Sequence, residues 1–260
     1  MCGNGHRFDA ARQGYLNLGT TRMPAGDDAA MVARRLEVAE AGVYAPLTDH
    51  LVEVARDHLA PAAGEQRLIV DVGAGPGVHL ARILEAVGDH HGIAVDASRY
   101  AARRAARAHP AITAIVADVW AGLPIADDAV DLLLDVFAPR NGAEFARILA
   151  PTGVLVLVTP RPGHLGELTR ALGLLGVDPE KTRRVDDELA DRFTRREGRP
   201  LTWEMSLDRS VATAVATMGP SAHHLDPRAL TTGLQRLDWP QTVTGDVEVA
   251  VYTPRTTEET

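Results

Sequence analysis

Several residue types are scarce in this sequence, and each scarcity closes off a class of protein. One cysteine, Cys2, stands among the 260 residues, which excludes an internal disulfide and a thiolate-rich metal site made by these residues alone. One lysine, Lys181, stands against 26 arginines; arginine suits bidentate phosphate contacts and base stacking, and a GC-rich genome would produce the same bias. No apolar run approaches the roughly 18 residues of a membrane span, and the opening MCGNGHRFDA has no apolar signal-peptide core. A soluble, cytoplasmic chain with no membrane partner is therefore expected. The formal charge of -8 argues against a generic polyanion binder, because neutralising phosphates needs clustered cations; local clusters stay open. The remaining composition, 45% hydrophobic and 24% charged, is that of a globular protein. The length fits one large domain or one domain with an appendage, with roughly three quarters of the unfolded surface buried on folding.

Apolar residues at three- and four-residue spacings predict amphipathic helices over 29–41 and 47–60. Short apolar runs predict buried strands at 67–72, 92–96, 112–116, 130–137 and 154–159, separated by helices at about 78–87, 99–108 and up to Leu149. Pro151, Thr152 and Gly153 read as a turn into the last of these strands. Strands alternating with helices of this length predict a doubly wound parallel sheet. The period-two patterns at Leu201–Leu207 and Val247–Val251 predict half-buried antiparallel strands closing its edge. The charged stretch 161–200 reads as a lid or insertion.

The first strand runs into Asp71-Val72-Gly73-Ala74-Gly75-Pro76-Gly77-Val78. A dinucleotide fingerprint would need glycine at position 78, so an NAD or FAD site is disfavoured. A D-x-G-x-G-x-G loop remains, which lets a ligand lie against the backbone at a helix N-terminus. Asp96 ends the second strand, where such folds hold ribose hydroxyls, and Asp118 follows the third, placed to meet an adenine amino group. Taken singly, these acids read equally well as a helix cap, a strand-end residue and a surface turn.

With these motifs in order the sequence resembles the class I S-adenosylmethionine-dependent methyltransferases. The string Cys2 to Leu18, Gly42-Val43-Tyr44-Ala45-Pro46-Leu47, Phe137-Ala138-Pro139-Arg140, Thr159-Pro160, His164-Leu165 and Met218-Gly219-Pro220-Ser221 narrow the resemblance to the bacterial 23S rRNA (guanine-N1)-methyltransferases, closest to the tylosin-resistance branch. The resemblance implies S-adenosylmethionine as cofactor, with Tyr44, the glycine loop and His164 contacting it. It further implies 23S rRNA as partner through a domain II hairpin lining the peptide exit tunnel, macrolide resistance, and a homodimer. It divides the chain into a remnant of an N-terminal zinc- and RNA-binding module (1–22), a methyltransferase domain (23–255) and a disordered tail (256–260). The family's zinc module has a C-x-x-C pair followed by C-x-x-x-H, of which only Cys2 and His6 are here, and tetrahedral zinc needs four ligands. A start codon set too late or an engineered truncation would account for this; true loss of zinc is the alternative.

Guanine N1 carries a proton that must leave during methylation. Asp135 is the carboxylate inside the fourth strand nearest its end, and alternation puts it on one face with Phe137; it reads as general base or as a buried ion-pair partner. Phe137 reads as a base-stacking residue or as core. Arg7, Arg12 and Arg22, opposed only by Asp9, form the preferred RNA site. Arg99, Arg103 and Arg107 share one helix face, which reads more simply as solvated. A methyltransferase for a small natural product and a non-catalytic cofactor-binding protein are the competing functions.

Overall fold

The computed structural model describes residues 10–19, 23–59, 66–219 and 226–255. Among these an eight-stranded sheet has the order β1-β4-β3-β2-β5-β6-β8-β7. Its strands are β1 (Leu16–Asn17), β2 (Leu68–Val72), β3 (His91–Asp96), β4 (Ile112–Val116), β5 (Val130–Val136), β6 (Leu149–Pro160), β7 (Phe193–Leu207) and β8 (Gln241–Pro254). β8 runs antiparallel to both β6 and β7, and the other pairings are parallel. The chain builds outward from β2 to β4 and then returns to place β5 beside β2. The carboxyl ends of β2 and β5 therefore meet at a topological switch point, the place where open α/β sheets form their ligand crevice.

Helices α2 (Ala45–His58), α3 (Val78–Val87) and α4 (Arg99–Ala105) cover one face, where Leu47, Leu51, Leu80 and Leu84 pack on Ile69, Leu132 and Val156. Helices α5 (Gly142–Ile148) and α7 (Lys181–Leu189) cover the other, where Phe145, Ile148, Val185 and Leu189 pack on Val70, Leu133 and Leu155. A smaller cluster joins the far end of the antiparallel β7–β8 pair to α1 (Ala29–Glu40), α6 (Gly166–Leu172) and the two helices that connect those strands, α8 (Arg209–Thr217) and α9 (Pro227–Gln235). Side chains cap the helix starts as the sequence allows: Asp28 accepts from Met31 N (2.8 Å), Asn141 from Glu144 N (3.2 Å) and Asp208 from Val211 N (2.9 Å).

Three expectations change. α4 ends at Ala105 rather than Ala108, because the last turn tightens: Arg107 N donates to Arg104 O and Ala108 N to Ala105 O, three residues back rather than four. Pro151-Thr152-Gly153 is no turn between elements: β6 starts at Leu149, paired with Val130, and resumes pairing at Val154 with Leu132. The intervening residues form a bulge, and a Cβ on Gly153 would lie 2.5 Å from Val130 O, so glycine alone fits the bend. The 161–200 stretch is built into the fold over its second half, since Val185, Leu189 and Phe193 are buried against the sheet. The tail 256–260 and most of 1–22 lie outside the described residues.

Candidate active site

β2 delivers Asp71 to the sheet's edge, and the loop that follows turns through left-handed backbone at Gly73 (φ +72°), Gly75 (φ +55°) and Gly77 (φ +80°). Side chains rarely adopt this region. Gly73 is also sterically required, because a Cβ there would meet Ala138 Cβ at 2.4 Å, and one on Gly77 would sit tightly against Ala105 at 3.0 Å. Gly75 has open space apart from Arg35 Cδ at 3.8 Å. The loop is pinned from below, with Gly73 N donating to Val95 O (2.8 Å) and Gly75 N to Asp96 Oδ2 (2.9 Å).

Above the loop lies a cleft of about 420 Å³, whose walls include Tyr44, Asp71, Gly73, Gly75, Phe137 and Met218. Among the described residues Asp71 Oδ1 is buried with no hydrogen-bond partner. Burial, and then the Asp96 charge, push the Asp71 carboxyl up to about 8. A buried carboxylate without a partner is costly, and a cation in the cleft would relieve it. An adenosyl cofactor that carries a sulfonium and an ammonium fits this arrangement: a backbone cradle that a side chain would fill, beside a carboxyl group that lacks its counter-charge.

The raised Asp71 carboxyl has a consequence for the stability of the unliganded protein. Asp71 is ionised above an ordinary value of about 3.9 in the unfolded chain and only above about 8 in the folded one. Between those values the folded state binds more protons, so the Asp71 contribution to stability is present at low pH and is lost as pH rises through the window. Asp71→Asn removes that loss. Thermal unfolding from pH 5 to pH 8.5 should show the Tm of the variant gaining steadily on that of the wild type; parallel curves would contradict the assignment.

At one end of the cleft four rings gather. Phe137 lies 5.6 Å from His164 and 5.9 Å from Tyr44, and Trp203 lies 6.1 Å from Tyr44 and 6.4 Å from His164. Trp203 Nε1 donates to Val43 O (2.9 Å), which fixes the outer wall. Asp246 N donates to His164 Nδ1 (3.2 Å), so the ring proton is on Nε2, which faces Tyr44 Oη at 3.4 Å. Burial pushes His164 down to about 4, with Asp246 opposing, and pushes the Tyr44 phenol up to about 12. At neutral pH the imidazole is uncharged and donates to Tyr44, whose own hydrogen is left to point elsewhere.

The sequence-derived residues are thus distributed unevenly. Tyr44, Asp71, Gly73, Gly75, Pro76 and Phe137 line one cleft, and His164 backs it. Gly77 caps α3. Asp96 supports the loop from below through Oδ2, which accepts from Gly75 N, while its Oδ1 accepts from Ser98 N (2.7 Å) at the start of α4. Asp118 accepts from Trp120 N (3.0 Å) and caps the short 3-10 turn 119–121; it does not line the cleft.

The expectation of a base at Asp135 on one face with Phe137 is corrected. Asp135 is fully buried on the α5–α7 side, taking one hydrogen bond from Ala138 N (3.2 Å), and its carboxyl is held well above the usual range by burial. Alternation fails because Phe137 has φ +56°, which swings its ring to the opposite face. Its 40% exposure also excludes the core reading.

Arg12 is exposed beside β1, at the far edge of the sheet from β7, while Arg7, Arg22, Cys2 and His6 lie outside the described residues. Among the described residues no cluster of three or more His, Cys, Asp or Glu could hold a metal, and Cys2 with His6 supplies two of the four ligands zinc takes. The arginines 99, 103 and 107 are exposed; Arg99 stacks over Tyr100, 4.9 Å from the ring centre. Sequence reasoning missed Arg35 and His79, which line the cleft, and the wall role of Trp203, whose sequence signal was alternation alone.

The family profile described as "Methyltransferase domain" matches residues 69–153, the span from β2 to the bulge of β6. A Streptomyces fradiae protein named 23S rRNA (guanine(748)-N(1))-methyltransferase is 45% identical, over 97% of this chain and 90% of its own length. A Micromonospora griseorubida protein, provisionally named a 23S rRNA (guanine-N(1)-)-methyltransferase, is 46% identical over the same shares. Among solved structures, the complex of the Haloferax volcanii Trm112 methyltransferase activator with its provisionally assigned methyltransferase matches in fold, with a TM-score of 0.52 at 17% identity, covering 90% of this chain and 100% of that one.

Proposed function

Since this chain belongs to the 23S rRNA (guanine-N1)-methyltransferases, which its 45% and 46% identical relatives establish, we propose how its cleft serves that reaction and which guanine it reaches. The protein is an enzyme that transfers a methyl group from S-adenosylmethionine to N1 of a guanine in 23S rRNA. The observation that carries our reading of the site is the junction of two unlike halves: a glycine cradle with an unpartnered buried Asp71, and a ring cluster around the exposed Phe137.

When bound, S-adenosylmethionine supplies an electrophilic methyl on a sulfonium, and the protein's part in such an in-line displacement is to position the two reactants. The loop 73–77 and Asp71 hold the cofactor. Phe137 stacks on the target base, as aromatic side chains do with unpaired RNA bases. Tyr44, accepting from His164, donates its hydroxyl hydrogen to the guanine O6 as N1 loses its proton to water, an oxyanion-type stabilisation.

The target we propose is the domain II hairpin guanine that corresponds to position 748 in the name of the Streptomyces fradiae relative, with tylosin-type macrolide resistance as the consequence. An rRNA substrate argues for a cytoplasmic enzyme, and among the described residues no helix is long and apolar enough to cross a membrane. A homodimer belongs to the same proposal and is read from the family alone. The test is a synthetic domain II hairpin offered with labelled cofactor: about one methyl per RNA is expected, and none when the target already carries N1-methylguanosine. Equal labelling of both hairpins would overturn the assignment.

A further inference from the structure

A second depression, of about 540 Å³, opens on the α5–α7 side, and its wall includes Arg140, Asp178, Lys181, Arg184 and Glu188. Three cations converge there, and their pairing is incomplete. Arg184 is paired with Asp178. Arg140 Nη1 reaches Ala138 O at 3.4 Å, but its Nε is buried without a hydrogen bond, with Glu188 no nearer than 3.9 Å. Lys181, the one lysine of the chain, is half-buried at the first position of α7 and makes no hydrogen bond or ion pair through its side chain among the described residues. The buried Asp135 behind Arg140 is the remaining acid nearby, and it favours the ammonium while burial, Arg140 and Arg184 disfavour it.

Asp178 is taken by Arg184, so the arrangement leaves Lys181 and Arg140 Nε without a hydrogen-bonded anion. Side chains of like charge around a half-buried ammonium repel one another, and the positive end of α7 adds to the same field. A guanidinium fork with a neighbouring point charge is the combination that suits a phosphate. The position is specific as well: Arg140 follows the stacking residue Phe137 by three positions, and Lys181 is close enough to His164 for its charge to bear on that ring.

We infer that Arg140 and Lys181, with Arg184 at the rim, hold a backbone phosphate of the RNA strand next to the target guanosine. The inference rests on the rRNA reading of the cleft and adds to it a site that fixes the strand on the far side of Phe137 from the cofactor. Arg140 and Lys181 are positioning residues: they fix the nucleotide and take no part in the chemistry.

The test is methyl transfer to a 23S rRNA transcript by the full chain, at several salt concentrations, for the wild type, Lys181→Ala, Lys181→Arg and Arg183→Ala. Arg183 sits on the same helix, is 69% exposed and is paired with Glu180. Lys181→Ala should raise KM for RNA about tenfold with kcat and cofactor Kd unchanged, the scale of losing one charge-assisted contact. It should also lower the slope of log KM against log salt by about 0.7 to 0.9, one phosphate contact. Lys181→Arg should keep most of the affinity, and Arg183→Ala should leave both quantities near wild type. A Lys181→Ala enzyme with unchanged KM and salt slope overturns the phosphate site while leaving the rRNA reading intact. A wild type that methylates no rRNA overturns both.

Discussion

Replacing Phe137 by alanine is expected to lower kcat/KM on 23S rRNA by between about fivefold and a hundredfold. Stacking of a base on an aromatic side chain is worth about 1–3 kcal/mol, and each 1.4 kcal/mol is about tenfold. The backbone supports the assignment. Phe137 is a non-glycine residue at φ +56°, a conformation that costs about 1–2 kcal/mol for an L side chain, and it leaves a large ring 40% exposed. Neither feature benefits folding. Phe137→Gly should therefore be more stable than Phe137→Ala, because glycine enters the left-handed region freely, yet be equally slow on RNA. Phe137→Trp should retain most of the activity. Steady-state kinetics on rRNA with a parallel thermal melt reads all three, and an alanine variant within about threefold of wild type would remove Phe137 from the reaction.

The second large effect belongs to Gly73. Gly73→Ala should weaken S-adenosylmethionine binding by at least about tenfold and lower Tm by several degrees. The new Cβ would stand 2.4 Å from Ala138 Cβ at φ +72°, so left-handed strain of about 1–2 kcal/mol is joined by overpacking of about 1–3 kcal/mol. Each 1 kcal/mol shifts Tm by about 2–4 °C in a chain of roughly this size. The clash has a direction: it pushes the segment that carries Phe137 away from the loop, so the cradle and the stacking wall fail together. Gly88 is the control, since it has φ +87° with nothing within 4 Å of a built Cβ. Gly88→Ala should lose stability from strain alone and bind cofactor normally by calorimetry. Equal losses of affinity in the two variants would show that the effect is general destabilisation.

The sequence made the fold legible where one local signal dominated. α3 spans 78–87 as its period predicts, bounded by glycines at 77 and 88, and the β7 and β8 alternations become the antiparallel edge. The glycine loop between β2 and α3 was legible for the same reason, since a strand, a run of alternate glycines and a helix are contiguous in the chain. Where a backbone departure intervened, the pattern misled. Period two assigns Asp135 and Phe137 to one face, and a single left-handed residue separates them; Pro151 to Gly153 has the composition of a turn and forms a bulge within a strand.

Tertiary convergence left no sequence trace at all. Trp203 meets Tyr44 only because the paired strands β7 and β8 pass the end of α1, and Lys181 meets Arg140 only because α7 packs beside α5. Lys181 was conspicuous by rarity, and its surroundings alone give the rarity a meaning.

The central claim is that this cleft joins an adenosyl cradle to a guanine-stacking wall. It is tested most directly by incubating the protein with S-adenosylmethionine labelled in the methyl group and protein-free 23S rRNA, followed by nuclease mapping and mass analysis of the labelled nucleoside. The account predicts N1-methylguanosine at a single position, made by the wild type and strongly reduced in Phe137→Ala. Label in any other nucleoside, or no label in rRNA from a protein that calorimetry shows to bind the cofactor, would contradict it.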